Sequence, residues 1–514
     1  MKTFVARHSE KIIGVLSGLD RVLFRGTLRQ LSYAAGLLSF LNYRRILLKD
    51  FGAWAESLSQ RIRAESEQIA CAAGRPVRYL ASSQVRKEDV ARDILRQQPV
   101  TQGLIGVLTC VEPCLSYTVS RSRVRQRLEL QRALRKCLHV YHYFLDPDFG
   151  LLHVRLQTWL PFSVQVCLNG REWLARSLAR EGIAYEQREN CLVALSDFAR
   201  AQALLDAQLR TAWGPTLDAL CHQVFPSAAT LFPDVRRYWS VHQMEWATDI
   251  LFDSAATLAA LYPPLTRHAI TQFSSADVMR FLGRKPHANF QGEITSDYKH
   301  RAEGVRVKHR LGGNSLKIYD KQRRILRVET TVHKVHDLKT YRRPEGRPGA
   351  PLAWRPVSNG VANLYRVAEI SQGANERYLE ALAQLETRTP LSALVDTVCR
   401  PTTYHGRRAR GLRPWTALDT ALLTAIHRGE FVLSGFRNRD LQPLLFPTAD
   451  PCPLQRRRTA ARITRLLGIL RAHKLIKKVP QSHRYQLTVR GRLIITALLA
   501  ARNAELSALL KLAA

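Results

Sequence analysis

Carboxylates are scarce in this chain of 514 residues: 42 Asp and Glu stand against 78 Lys and Arg, a formal net charge of +36 with a pI near 10.5. The deficit runs along the whole sequence rather than sitting in one tail, so it implies an extended basic surface and a polyanionic partner. Nucleic acid is the expected partner and an anionic membrane surface the competitor. Long apolar runs are missing too. No segment reaches the roughly 18 uninterrupted apolar residues of a spanning helix, so no membrane partner is expected. Arg7, Lys11, Asp20 and Arg21 break the N-terminal apolar run that a secretory signal would need, and the expected location is the cytoplasm. Cysteines number nine, an odd count, with no Cys-x-x-Cys. Neither a disulfide framework nor a zinc ribbon is suggested, and most of them read as buried small hydrophobes. The sequence has no Gly-x-Ser-x-Gly, no Gly-x4-Gly-Lys-Ser/Thr and no Gly-x-Gly-x-x-Gly, which removes the signatures of serine hydrolases, P-loop NTPases and dinucleotide enzymes. There is no internal repeat of 20 to 50 residues.

What remains is an ordinary globular composition, 46% hydrophobic and 23% charged, long enough for three or four domains. The most informative stretch lies near the C-terminus. Ile463, Leu466, Leu467 and Leu470 fall at i, i+3, i+4 and i+7 and form one apolar stripe. Arg458, Arg462 and Arg465 share a second face, whose centre is about 130° away at 100° per residue. Burying the leucines therefore turns these three guanidiniums outward; Arg456 and Arg457, at the start of the helix, are further candidate nucleic-acid contacts. Lys477-Lys478-Val479, a turn from Pro480 to Arg484, and Tyr485 to Gly491 then predict a basic hairpin running into another helix. Upstream, Leu418, Ala421, Leu422, Ala425 and Ile426 form a second stripe after the candidate N-cap Thr416, and Asn438 starts a short third helix. From 401 to 514 there are 21 Lys and Arg against 5 Asp and Glu. The run Tyr485-x-Leu487-Thr488-x-x-Gly491 resembles the wing exit of MarR-like winged-helix regulators over roughly the last 100 residues, which implies a C-terminal winged-helix DNA-binding domain.

The expected architecture is a multidomain α/β (α+β) chain in four segments: an N-terminal α/β domain over 1–125, a strand-rich α+β domain over 126–225, a helical segment plus a basic three-stranded meander over 226–400, and the winged helix over 401–514. In the first, Ile12 to Leu16, Val22 to Phe24 and Leu104 to Val111 read as strands, with helices around 36–72 and 86–97. In the second, Leu138 to Leu145, Leu151 to Trp159 and Ser163 to Leu168 read as strands, the first two joined by the turn Asp146-Pro147-Asp148-Phe149-Gly150. Asn169 to Glu172 starts a helix closed by Gly182. Helices are predicted onward to about 284, a basic strand-rich block from about 290 to 335, a loop from Pro344 to Pro356, and a helix over 361–385.

In the basic block, Val305 to Arg310, Ser315 to Asp320 and Ile325 to Val332 read as three strands. Alternation puts Leu316, Ile318, Leu326 and Val328 on a core face and Lys317, Tyr319, Arg327 and Glu329 on the other, with Arg306 and Lys308 from the first strand. Such a face suits a phosphodiester, with Tyr319 as a candidate nucleophile and Glu329 positioning a cation or an Arg. Tyr319-Asp320-Lys321 followed by Leu326-Arg327-Val328-Glu329 is similar to the strands of rolling-circle replication initiators over about 30 residues. Those proteins also carry metal-binding residues, in many of them a His-hydrophobic-His strand. The nearest pattern here, His139-Val140-Tyr141-His142, spaces its histidines by three and so divides them between two faces of a strand, so no metal is expected there. As a whole the chain resembles a group of uncharacterised bacterial proteins that share these strands.

A second enzymatic reading rests on Asp20 after an apolar run, with Glu112, or Asp146 and Asp148, completing a two-metal carboxylate set as in nucleases and transposases. Mg²⁺ or Mn²⁺ enters only with that reading; otherwise no cofactor is expected. The sequence thus points to a DNA-binding protein for replication, transcription or a mobile element, with a nuclease or transposase and an RNA binder as alternatives.

Overall fold

The computed structural model describes all residues except 234, 285–293, 302–303, 345, 348, 384–390, 429–430, 432–434, 448–451, 481 and 504–514. The start of the basic block at 290, the end of the helix expected over 361–385 and one residue of the turn at Pro480 to Arg484 lie outside the described residues. With 44% helix and 32% strand the chain is mixed α/β. It forms two compact units, each assembled from separate segments: a sheet unit of residues 11–255 and 321–373, and a C-terminal unit of residues 1–10, 256–320 and 374–514.

The sheet unit contains β1 (Ile12–Leu28), β2 (Val77–Leu80), β3 (Gly103–Arg121), β4 (Leu128–Asp146), β5 (Gly150–Gln157), β6 (Val164–Asn169), β7 (Tyr185–Arg188), β8 (Cys191–Leu195) and β9 (Arg237–Phe252). The C-terminal unit contributes β10 (Ile294–Arg301), β11 (Gly304–Leu311) and β12 (Asn314–Lys321), and β13 (Ile325–Val332) returns to the sheet unit. Within the sheet unit the strands lie in the order β13-β9-β1-β6-β5-β4-β3-β2. Val22, Phe24 and Leu28 of β1, Val154 of β5, Val164 and Val166 of β6 and Trp239 of β9 share one buried core with Leu37, Phe40, Phe51, Leu58, Ile62 and Leu217 from the helices Ala34–Tyr43, Phe51–Ala72 and Trp213–Val224. On the opposite face, helices Gly170–Arg180 and Phe198–Gln208 cover the first half of β1 through Leu16, Leu174, Leu178 and Leu205. Helix Lys87–Gln97 covers Ile105, Leu108, Tyr141 and Tyr143. Asn169 caps the helix at Gly170 by accepting from the Arg171 and Glu172 amides, as its composition predicts. Gly170 itself sits so close to β1 that a Cβ would lie 2.2 Å from the Leu19 carbonyl oxygen.

Several elements differ from the expectation. Ile12 to Leu16 and Val22 to Phe24 belong to one 17-residue strand, which continues through a register shift between Leu19 and Arg21. The helix expected over 36–72 is two helices, broken where Arg45 adopts φ +56°. The stretch predicted helical to 284 contains β7, β8 and the 16-residue β9; from Trp246 to Phe252 β9 is buried at every position, so no alternation marks it as a strand. The segment Pro344 to Pro356 ends in a strand, Ala353–Pro356, paired with Lys339–Arg342. The boundary at 125/126 falls inside the β3–β4 hairpin, and the boundary at 225/226 separates β9 from its partner β1.

In the C-terminal unit β11 pairs with both β10 and β12. Its core face carries Val307 and His309, and the imidazole of His309 lies between Ser296 Oγ (2.8 Å) and the Tyr378 hydroxyl (3.0 Å), edge-on to the Tyr378 and Phe273 rings. Burial pushes its pKa down to about 4, from an ordinary value near 6.5. The folded state therefore holds this ring neutral while the unfolded chain takes up a proton below pH ~6.5. The stabilisation is complete above that pH and is lost as pH falls toward 4, at a cost of about 3 kcal/mol. Thermal unfolding followed from pH 7 to 4 should show this loss, and His309→Gln should reduce the pH dependence; an unchanged slope in the variant would contradict the assignment.

The unit also contains helices Leu391–Cys399, Ala417–Ile426, Asn438–Leu445, Pro453–Ala472 and Val489–Asn503, with strands Phe436–Arg437, Ile476–Lys478 and Arg484–Leu487. The last of these strands is central, pairing Phe436 with Tyr485 and Lys478 with Tyr485 from its two sides. Ile463, Leu466, Leu467 and Leu470 enter one core with Leu422, Ile426, Phe436, Leu441, Leu475 and Ile494. Val398 and Leu412 belong to that core too, and a Cβ on Gly411 would lie 1.8 Å from the Cys399 carbonyl oxygen. The boundary at 400/401 thus cuts through packed structure, and the folded region starts by Leu391. Gly491, with space for no Cβ (1.9 Å from the Leu475 carbonyl oxygen), seats the last helix against the hairpin. A buried ion pair between Arg492 and Asp277 (2.6 Å) joins that helix to the Ser275–Phe281 helix of the same unit.

Candidate functional site

Arg456, Arg457, Arg458, Arg462 and Arg465 are all exposed on the Pro453–Ala472 helix; the last four point away from its buried leucines, whereas Arg456 lies on the same row as Ile463, one heptad before the core begins. The expected division of faces is what the fold contains. The Arg462 guanidinium lies 4.6 Å from the Phe446 ring centroid, which restrains it without removing its charge. Asn438 donates from Nδ2 to the Ala460 carbonyl (2.8 Å) and to Thr464 Oγ1 (2.9 Å), holding this helix to the Asn438–Leu445 helix. In the hairpin, Lys478 is exposed and Lys477 and Arg484 are half-buried.

The second cationic surface is the outer face of β10–β12. Arg306 lies opposite Tyr319 and Lys308 opposite Lys317, while Asp297 on β10 lies opposite Lys308. Asp297 forms ion pairs with Lys299 (3.8 Å), Arg306 (3.6 Å) and Arg310 (3.9 Å). Among the described residues of this face one carboxylate meets Lys299, Arg306 and Arg310, with Lys308 and Lys317 beside them, which leaves it positive. Lys308 reflects that: burial, then Lys317, Arg310 and Arg306, lower its pKa to about 8, against the pull of Asp297. Tyr319 is half-buried on β12.

Arg327 does not join an outer cationic face, as the sequence pattern suggested. It is fully buried in the sheet unit. Its Nε and Nη2 donate to Asp249 (2.5 and 2.8 Å), Nη1 to Asp20 (3.2 Å) and Nη2 also to the Asn190 carbonyl (2.7 Å). Buried Arg171 adds an ion pair to Asp249 (3.1 Å) and donates to the Ala247 carbonyl. Asn190 donates Nδ2 to both Asp20 oxygens (2.9 Å) and accepts at Oδ1 from Lys321. Burial alone would raise the pKa of Asp249, but Arg327 and Arg171 outweigh it and hold the carboxylate below its usual range. Glu329 is buried beside this network and accepts from Thr331 Oγ1 (3.2 Å).

The four carboxylates proposed as a two-metal set are likewise committed elsewhere. Asp20 belongs to the network just described. Glu112 is bound by Lys87 (2.8 Å), Arg155 (2.8 Å) and the Tyr141 hydroxyl (2.7 Å). Asp146 Oδ1 accepts the Asp148 and Phe149 amides and so closes the β4–β5 turn, and Asp148 pairs with Arg180 (2.7 Å). No three His, Cys, Asp or Glu side chains converge on a metal position among the described residues. Asp20, Glu112 and the Asp146–Asp148 turn thus each serve a separate local structure.

Sequence reasoning missed the hairpin arm. Beyond Val111 and Leu138, β3 and β4 have only each other as strand partners among the described residues. The base of the arm is fastened where Trp159 Nε1 donates to the Tyr117 carbonyl (2.7 Å). The tip carries exposed Arg121, Arg123, Arg125 and Arg127 around Val124, which is 93% exposed; Arg132, Arg135 and Lys136 follow, and Glu129 pairs with Arg125 (3.3 Å) and Arg127 (3.4 Å). The available signal was arginine at every second position from 121 to 127, flanked by alternating apolar residues. Comparison with known proteins returns no family model, no curated protein and no solved structure that matches this chain.

Proposed function

We propose that this protein binds duplex DNA through a winged-helix arrangement in its C-terminal unit. The observation that carries the reading is the Pro453–Ala472 helix, with Arg457, Arg458, Arg462 and Arg465 exposed away from a buried apolar stripe and a basic hairpin directly after it. The order helix, short strand, two helices, hairpin and helix has the layout in which the third helix enters the major groove and the hairpin reaches the backbone. Exposed guanidiniums on a helix suit phosphate oxygens and guanine edges. The cationic face of β10–β12 and the β3–β4 arm supply further phosphate-binding surface. A two-stranded ribbon is compatible with the wide B-form major groove, whereas the deep, narrow groove of A-form RNA excludes it; this favours DNA.

Two single variants test the assignment of faces. Arg462→Ala should weaken binding to a labelled duplex while lowering stability by no more than about 1 kcal/mol, the worth of its ring contact. Leu466→Ala should destabilise the fold by roughly 2 to 5 kcal/mol through a core cavity. Equal losses of melting temperature in both variants, or tighter binding of an RNA duplex than of a DNA duplex, would contradict the reading.

A further inference from the structure

The face of the sheet opposite the main core is not fully covered. Between the helices that pack on β1 and the Lys87–Gln97 helix, one row of directly paired residues crosses the strands: Ser240 of β9, Arg25 of β1, Gln165 of β6, Arg155 of β5 and Tyr141 of β4. Directly opposed residues on antiparallel strands project to the same side, so Arg25 and Arg155 flank Gln165, each one strand spacing of about 4.8 Å away.

Arg155 is held in place. Its Nη1 donates to Gln165 Oε1 (2.8 Å) and its Nη2 to Glu112 (2.8 Å), whose second oxygen is taken by Lys87. Its Nε is buried with no partner. Arg25 is more unusual: its Nε is also buried without a partner, and among the described residues its guanidinium forms no hydrogen bond or ion pair. A buried donor left unmade costs stability; both Nε atoms are closed to solvent, so an anion on this face would be met by the terminal nitrogens of Arg25. Burial, then Arg132 and Arg155, lower the pKa of Arg25, the consequence of a cation set among cations. Among the described residues Glu112 is the only carboxylate bound to the row, and Lys87 and Arg155 both already claim it.

We infer that Arg25 and Arg155, with Gln165 between them, form a cradle for a phosphate group on the open face of the sheet unit. Phosphate offers several strong acceptors to the fork of donors that each guanidinium presents, and the surplus positive charge selects an anion. Glu112 acts as a positioning residue, fixing Arg155 rather than touching the ligand. No residue of the C-terminal surface takes part, so the site stands independently of the winged-helix reading. The phosphate can belong to a free phosphorylated small molecule or to a nucleic-acid backbone, and the chemistry of recognition is the same.

The test uses the full chain. Inorganic pyrophosphate should raise its melting temperature and bind by calorimetry, with affinity falling roughly tenfold or more in Arg25→Gln and partly restored in Arg25→Lys. The triple variant Arg458→Ala, Arg462→Ala, Arg465→Ala should bind pyrophosphate as the wild type does, even if DNA binding is lost or was never present. Displacement of pyrophosphate by a single-stranded oligonucleotide would assign the cradle to a nucleic-acid backbone; retention would assign it to a small phosphorylated ligand. No stabilisation of the wild-type protein by pyrophosphate, or the same affinity in Arg25→Gln, would overturn the proposal; the wild-type measurement decides it even if Arg25→Gln fails to fold.

Discussion

Replacing Arg458, Arg462 and Arg465 together by alanine is expected to weaken duplex DNA binding by about 10²-fold at physiological salt. Each phosphate neutralised contributes about 0.9 to the slope of log K against log salt, so removing three contacts flattens the slope by about 2.7. At ionic strengths well below 1 M that difference amounts to several-fold per contact. The fold should survive, because all three side chains are exposed on a helix whose other face holds the core. Filter binding or fluorescence anisotropy on the triple variant measures both quantities. An unchanged slope would place the DNA on another surface, and a collapsed fold would show that the faces are assigned wrongly.

Arg327→Met is expected to destabilise the sheet unit by roughly 3 to 5 kcal/mol. The substitution leaves Asp249 and Asp20 buried without their principal cation, and an uncompensated buried charge is costly. Arg171 and Asn190 still reach these carboxylates and moderate the loss. Adding Asp249→Leu to Arg327→Met should recover part of the stability, because it removes one stranded carboxylate. Denaturant unfolding of the two variants checks this; a loss below about 1 kcal/mol in Arg327→Met would mean that the network contributes little.

The two regions differ in how much of them the sequence could disclose. The Pro453–Ala472 helix was legible because its core contacts repeat with the helical period, and one stripe suffices to orient Arg458, Arg462 and Arg465. Asn169 announced its helix through local capping chemistry. Arg327 was not legible: its partners Asp249, Asn190 and Asp20 lie 78, 137 and 307 residues away, and alternation on β13 reports only which side a residue takes, not whether other elements cover that side. The same limit hid β9, whose second half is buried on both faces, and the Arg25 row, which exists only once β1, β6 and β5 are laid side by side. Glu112 entered the sequence reading only as a partner for Asp20 in a carboxylate set; that Lys87 and Arg155 converge on it shows only once β3, β5 and the Lys87–Gln97 helix are brought together.

The most direct test of the central claim is the affinity of the full chain for a duplex of about two helical turns, measured as salt rises from about 50 to 200 mM. Outward arginines on the Pro453–Ala472 helix predict a linear fall of log K against log salt with a slope of about −2.7 or steeper, reduced in the triple arginine variant. An affinity independent of salt, or no measurable affinity at the lowest salt, would contradict it.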